Sequence, residues 1–113
     1  MASAFLTENA DAQSDDHNNS ANYVLPACQR YIARSNSNSL NTLREGLCAG
    51  LIEGLFYLAH LLPPERRSCA PESVTTGQVL RVAVAYIERR PQRMHENFKE
   101  LALDAFHDAW PCR

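Results

Sequence analysis

An all-α domain of about four helices, paired as two antiparallel hairpins and stabilised by disulfides, is the fold class this sequence predicts. Three observations carry that expectation. Between positions 22 and 110 apolar residues recur at steps of three and four, and no stretch gives a convincing strand. The periodic segments are separated by a Ser/Asn run at 35–39, by Pro63-Pro64 and by Pro91, each suited to ending a helix. Four cysteines sit where two hairpins would bring them level. With 113 residues, 45% of them hydrophobic, the chain has room for one core and one domain.

The first helix is expected from Asn22 to Arg34, with Leu25, Cys28 and Ile32 on one face. Pro26 fits there only in the first turn, where its missing N–H has no partner to lose. The second is the clearest: Leu40, Leu43, Leu47, Leu51, Leu55, Leu58 and Leu62 form a stripe widened by Cys48, Ile52 and Leu61, which predicts a central helix. On the same helix Gly46, Gly50 and Gly54 stand four residues apart. Each costs about 1 kcal/mol relative to alanine in a helix interior, so three in register predict another backbone packed close against that face. A third helix opens at a capping box, with Thr75 as N-cap and Gln78 three residues on. It runs to Arg89 and buries Val79, Val82, Ala83, Tyr86 and Ile87. The fourth follows Pro91 to Ala109, with Met94, Phe98, Leu101, Ala102, Ala105 and Trp110 on one side.

Residues 1–21 are different in kind. They are rich in Asn, Asp, Ser and Ala, carry four acids (Glu8, Asp11, Asp15, Asp16) and have no Lys or Arg. Such a segment buries too little apolar surface to offset its chain entropy, and is expected to be a disordered head on a single domain at 22–113. That domain keeps nine acids against eleven bases. The total charge of −2 argues against a general nucleic-acid binder, and no apolar run approaches the ~20 residues of a membrane span.

Four cysteines in so short a chain predict two disulfides and an oxidising compartment. Four reduced thiols in a cytosolic protein is the alternative; a zinc site is disfavoured because there is neither a Cys-x-x-Cys nor a pair of histidines at ligand spacing. Around a turn near Ser37, Cys28 lies nine residues before and Cys48 eleven after; around a turn near Arg90, Cys69 lies 21 before and Cys112 22 after. Antiparallel hairpins therefore predict Cys28–Cys48 and Cys69–Cys112. Ala2-Ser3-Ala4 has the small-x-small pattern of a signal-peptidase site, which predicts that Met1 was added to an exported chain whose leader was removed.

These residues also carry a resemblance. Cys48-Ala49-Gly50-Leu51-Ile52-Glu53-Gly54 resembles the Cys-x-Gly-aromatic/aliphatic-Ile-x-Gly motif of the Rap/Tai family, the small periplasmic immunity proteins of type VI secretion. Leu51 stands where an aromatic residue is common. Cys69-x-Pro71 with Val74-Thr75-x-Gly77-Gln78 is similar to that family's Cys-x-Pro-x-x-Val-Thr-x-x-Gln stretch, and Pro91, His95 and Trp110-Pro111-Cys112 to its Pro-x-x-x-His and aromatic-Pro-Cys ending. The resemblance implies an all-α periplasmic protein that binds and blocks a toxic effector injected by sister cells, typically a peptidoglycan amidase or other cell-wall hydrolase. The matched residues look structural, so the resemblance transfers no inhibitory residue and gives His95 no role. It implies no enzyme activity and no cofactor, and it leaves open a homodimer and the identity of the effector.

Titratable residues do not assemble into an active site. Glu100, Asp104 and Asp108 read as a solvated helix face, since nothing supplies a nucleophile or a glycine-rich cradle. A small periplasmic helical chaperone, or another binding protein of the envelope, is the competing function; four histidines do little to suggest the acid switch a chaperone of that type needs. If the chain is an inhibitor, it must cover or enter a cleft, and the loop at 63–74 is the best-suited segment. Pro63-Pro64 stiffens it, Cys69 anchors it, and pre-ordering lowers the entropy lost on association. Its expected contacts are Glu65, Arg66, Arg67 and Glu72, with Arg89 and Arg90 as neighbours. Ten of the eleven bases are arginine, which favours bidentate recognition of carboxylates.

Overall fold

The computed structural model describes residues 18–33 and 38–113. Four helices follow in the expected order: α1 Ala21–Ala33, α2 Ser39–Ala59, α3 Thr76–Glu88 and α4 Phe98–Ala109, with a 3-10 turn at Pro91–Arg93. Among the described residues there is no strand, only isolated bridges joining Ser20 to Asn97 and Ser68 to Pro111. α1 packs on α2 and α3 on α4, and the two hairpins close on each other with α1 and α2 both against α3 and α4. Both expected disulfides are present, Cys28–Cys48 with Cα atoms 5.5 Å apart and Cys69–Cys112 at 5.0 Å.

Three helix starts are set by side-chain oxygens that accept otherwise orphaned backbone N–H groups. Asn38 accepts from Asn41 N at 2.9 Å, Thr75 Oγ1 from Gln78 N at 3.1 Å and Asn97 Oδ1 from Lys99 N at 2.9 Å. Pro91 does not start α4 directly. It opens the 3-10 turn, and the α-helix begins only after the Asn97 cap. The core is built from Ile52, Leu80, Ile87, Phe98, Leu101 and Phe106, all fully buried, each worth roughly 1.5–3 kcal/mol relative to exposure. Val82, expected in the core, is half-buried on the α3–α4 surface.

The head expected over 1–21 falls outside the described residues except for its last four, and those join the body. Ser20 and Ala21 are buried. Asn19 O accepts from Phe98 N at 2.7 Å, while Ala21 N and Asn22 N donate to Glu96 O at 2.9 Å and Met94 O at 2.8 Å. The start of α1 is thereby stitched to the start of α4. Of the Ser/Asn run, 35–37 lies outside the described residues.

Two expectations for the helices need correction. Pro26 lies in the second turn of α1, not the first; the helix runs through it with its ring exposed. A proline there has no N–H for the Asn22 carbonyl. Pro26→Ala is expected to stabilise the fold by about 1–3 kcal/mol, reduced from the full helix-interior cost because proline also restricts the unfolded chain; a higher urea midpoint would show it. The second correction concerns α2. Its inward face is Cys48, Ile52 and Ala59, flanked by Leu51, Leu55 and Phe56. Leu40, Leu43, Leu47, Leu58 and Leu61 of the leucine stripe are exposed, Leu43 and Leu47 by 61% and 63% and Tyr57 beside them by 65%. No atom lies within 4 Å of a Cβ built on Gly46, Gly50 or Gly54. Within the described residues, no second backbone packs on the glycine face.

Candidate partner-binding site

The segment between α2 and α3 is fixed from several sides. Pro63 O accepts from Arg66 N at 2.9 Å to form a turn, and Ala59 O accepts from Ser68 N at 3.1 Å. Ser68 is buried, and its hydroxyl donates to Phe106 O at 3.1 Å. Cys69 N donates to Trp110 O at 2.8 Å beside the Cys69–Cys112 bond. His107 Nδ1 lies 3.0 Å from Arg67 O and donates to it in the tautomer protonated there. The chain's last residues thus act as a brace along the loop.

The expected contact residues divide into two groups. Glu65, Glu72 and Arg89 are exposed. Glu72 borders an open cleft of about 420 Å³ between the loop and α2, whose walls include Glu53, Phe56, Tyr57 and His60. Arg89 borders a groove of about 460 Å³ between α3 and α4, with Arg81 and Asp108. The other three are turned to the protein's own atoms. Arg66 Nη2 donates to Glu100 Oε2 at 2.7 Å and lies 3.7 Å from Asp104 Oδ1. Arg67 Nε donates to Leu62 O at 2.9 Å. Arg90 donates to Tyr86 O at 2.9 Å, with its guanidinium carbon 3.6 Å from the centre of the Tyr86 ring, an arrangement that favours cation–π attraction.

Sequence reading missed the residue that links these groups. Arg93 forms a two-pronged pair with Glu96, with both bonds 2.9 Å long, and reaches Asp104 Oδ2 at 3.0 Å and the Tyr86 hydroxyl at 3.1 Å. Asp104 therefore stands between Arg66 and Arg93, and a continuous polar network runs from the loop across α4 to the end of α3. The i, i+3 spacing of Arg93 and Glu96 was the only local signal; Asp104 is brought in by the hairpin. Glu100 and Asp104, read as a solvated stripe, are paired here, while Asp108 is exposed. Arg66 is raised above its ordinary value chiefly by the hydrogen bond to Glu100, and Arg93 by those to Glu96 and then Asp104.

Glu96 is lowered from 4.5, first by the hydrogen bond from Arg93. A carboxylate lowered in the folded state contributes stability that is complete above its unfolded value and is lost as pH falls through the lower folded value. Urea midpoints should therefore drop as pH is lowered from about 5.5, and Glu96→Gln should flatten part of that drop. Identical pH profiles for the two proteins would show that the pair contributes nothing.

Among the described residues, no group of three His, Cys, Asp or Glu is placed to hold a metal ion, and no helix is long and apolar enough to cross a membrane. The described surface carries paired charges and a loop held by backbone bonds and the Cys69–Cys112 disulfide. No curated protein and no solved structure matches the chain. The family model described as Rap1a immunity proteins matches residues 20–112. That span opens at Ser20, where the stitch to Asn97 is made, and closes on the last half-cystine. It takes in all four helices and both disulfides, and the chain belongs to the Rap1a immunity protein family.

Proposed function

We propose that this protein is a periplasmic immunity protein of type VI secretion that binds and inhibits a peptidoglycan amidase, protecting its producer from sister cells. The match to the Rap1a immunity family over residues 20–112 carries the reading. Two disulfides support an oxidising compartment. The braced loop supports action by binding, because a segment already ordered loses less entropy when it docks. Glu65, Glu72 and Arg89 are the proposed direct contacts. Arg66, Arg67 and Arg90 shape the surface through their internal bonds and touch the partner from its edge. A homodimer is part of the same proposal.

The test is protection. A peptidoglycan amidase effector directed to the periplasm should lyse cells, and co-expression of this chain with a periplasmic leader should prevent lysis. In calorimetry with that amidase, reversing Glu65 and Glu72 to Lys should weaken affinity at least tenfold, or about 1.4 kcal/mol, with an unchanged thermal midpoint. Unchanged affinity would move the contact surface away from this loop, and absence of protection against cell-wall amidases would remove the proposed target.

A further inference from the structure

Three arginines stand on or just past α3, and they are used differently. Arg90 is committed to Tyr86, much as Arg66 and Arg93 are committed to carboxylates. Arg81 and Arg89 are exposed, and among the described residues neither side chain has a hydrogen bond or an ion pair. Both border the open groove of about 460 Å³ between α3 and α4. Short side chains line it, Val82 and Ala85 from α3 and Ala105 and Ala109 from α4, which leaves room for a chain to lie between the helices. Tyr86, also in the lining, is held by Arg90 at its ring and by Arg93 at its hydroxyl. The adjacent acids do not neutralise the pair. Glu88 is turned to α1, where it accepts from Gln29 Nε2 at 3.0 Å, and Asp108 stands on the α4 wall.

We propose that this groove receives an acidic segment of the effector, laid along α3 with its carboxylates on Arg81 and Arg89. The inference rests on the reading that the chain binds an effector, but not on that effector being an amidase. Charge selects the occupant. A guanidinium with no acceptor of its own offers a fork of N–H donors that a carboxylate fills in two-pronged fashion. Spacing sets the form of the segment. Arg81 and Arg89 are eight residues apart, about 12 Å along a helix. In an extended chain, side chains four residues apart lie on one face at about 13 Å, so one extended acidic stretch reaches both. Asp108 repels carboxylates from the opposite wall and confines them to the α3 side. The chain's own acids, Glu8, Asp11, Asp15 and Asp16, are the competing occupant. They precede Asn18, which borders a different groove, between α1 and α2 beside Tyr23 and Arg44.

The probe is a short synthetic peptide alternating glutamate and alanine, titrated into the isotopically labelled, oxidised full chain. Amide resonances around Arg81, Ala85 and Ala105 should shift, while those at the centre of α1 stay in place. Combining Arg81→Gln with Arg89→Gln should weaken the peptide's affinity at least about tenfold. The thermal midpoint should not change, since neither side chain has an internal bond to lose. Asp108→Asn should tighten binding, and the peptide with glutamine in place of glutamate should not bind. The full chain carrying Glu8→Gln, Asp11→Asn, Asp15→Asn and Asp16→Asn should bind the acidic peptide no more tightly. Absence of shifts along α3 and α4, or undiminished affinity in the double arginine variant, overturns the proposal. So does tighter binding after the four head acids are neutralised, which would assign the groove to the chain's own N-terminal segment. The protection experiment reads the effector's identity separately from the peptide's affinity.

Discussion

Phe106→Ala is expected to cost about 4 kcal/mol, the range for truncating a large aromatic in a core that cannot fully collapse. Phe106 is 0% exposed, and its ring meets Phe56 edge-to-face at 5.5 Å. Its carbonyl also accepts from the Ser68 hydroxyl and from Trp110 N, so a shift of α4 into the vacated space would disturb the brace as well as the core. Small domains have about 5–15 kcal/mol in all, so the variant should lose a large share of its stability. Urea titration followed by circular dichroism reads the change. A loss below about 0.5 kcal/mol, the scale of an ordinary surface substitution, would mean that α4 does not hold the position described.

Removing the Cys69–Cys112 bond, by changing both residues to alanine, is expected to cost up to about 4 kcal/mol in the loop-entropy model, because it closes a long segment; the two residues are 43 apart in sequence. The damage should be local before it is global. Cys28 and Cys48 are buried in the core at the α1–α2 contact, whereas Cys69 lies at the surface. Hydrogen exchange should show early loss of protection at Ser68, at the backbone amide of position 69 and at Trp110, with the centres of α1 and α2 still protected. Uniform loss along the chain would show that the brace and the core open as one unit.

Much of this arrangement was legible from local chemistry. Thr75 and Gln78 marked the start of α3 because capping depends on residues three apart, and the cysteines paired as two antiparallel hairpins require. α2 was legible as a helix but not in its orientation. Leucines lie on both its inner and outer sides, so period alone could not tell that Cys48, Ile52 and Ala59 face in while Leu43 and Leu47 face out. The same ambiguity made the glycines look like an internal contact. In the candidate site, the exposed charges Glu65, Glu72 and Arg89 were found as charges are, by residue type. The Arg93 network was not, because Asp104 and Tyr86 become its neighbours only after α3 and α4 have packed.

The double attachment of α4 also bears on how the chain reaches this structure. Asn97 pairs with Ser20 at the start of the helix, and Trp110–Cys112 holds Ser68–Cys69 at its end. The first seam joins segments from nearly opposite ends of the described chain, and bringing them together carries the entropy of closing a very long loop. Delivered N-terminus first, the chain can form the α1–α2 hairpin and its Cys28–Cys48 bond from early segments alone. Ala21 and Leu25, buried in the finished fold, lack their full cover until the final third has emerged. Assembly is therefore completed by α4, and the interval in which the unfinished chain is vulnerable to aggregation or proteolysis is set by the arrival of its C-terminal helix.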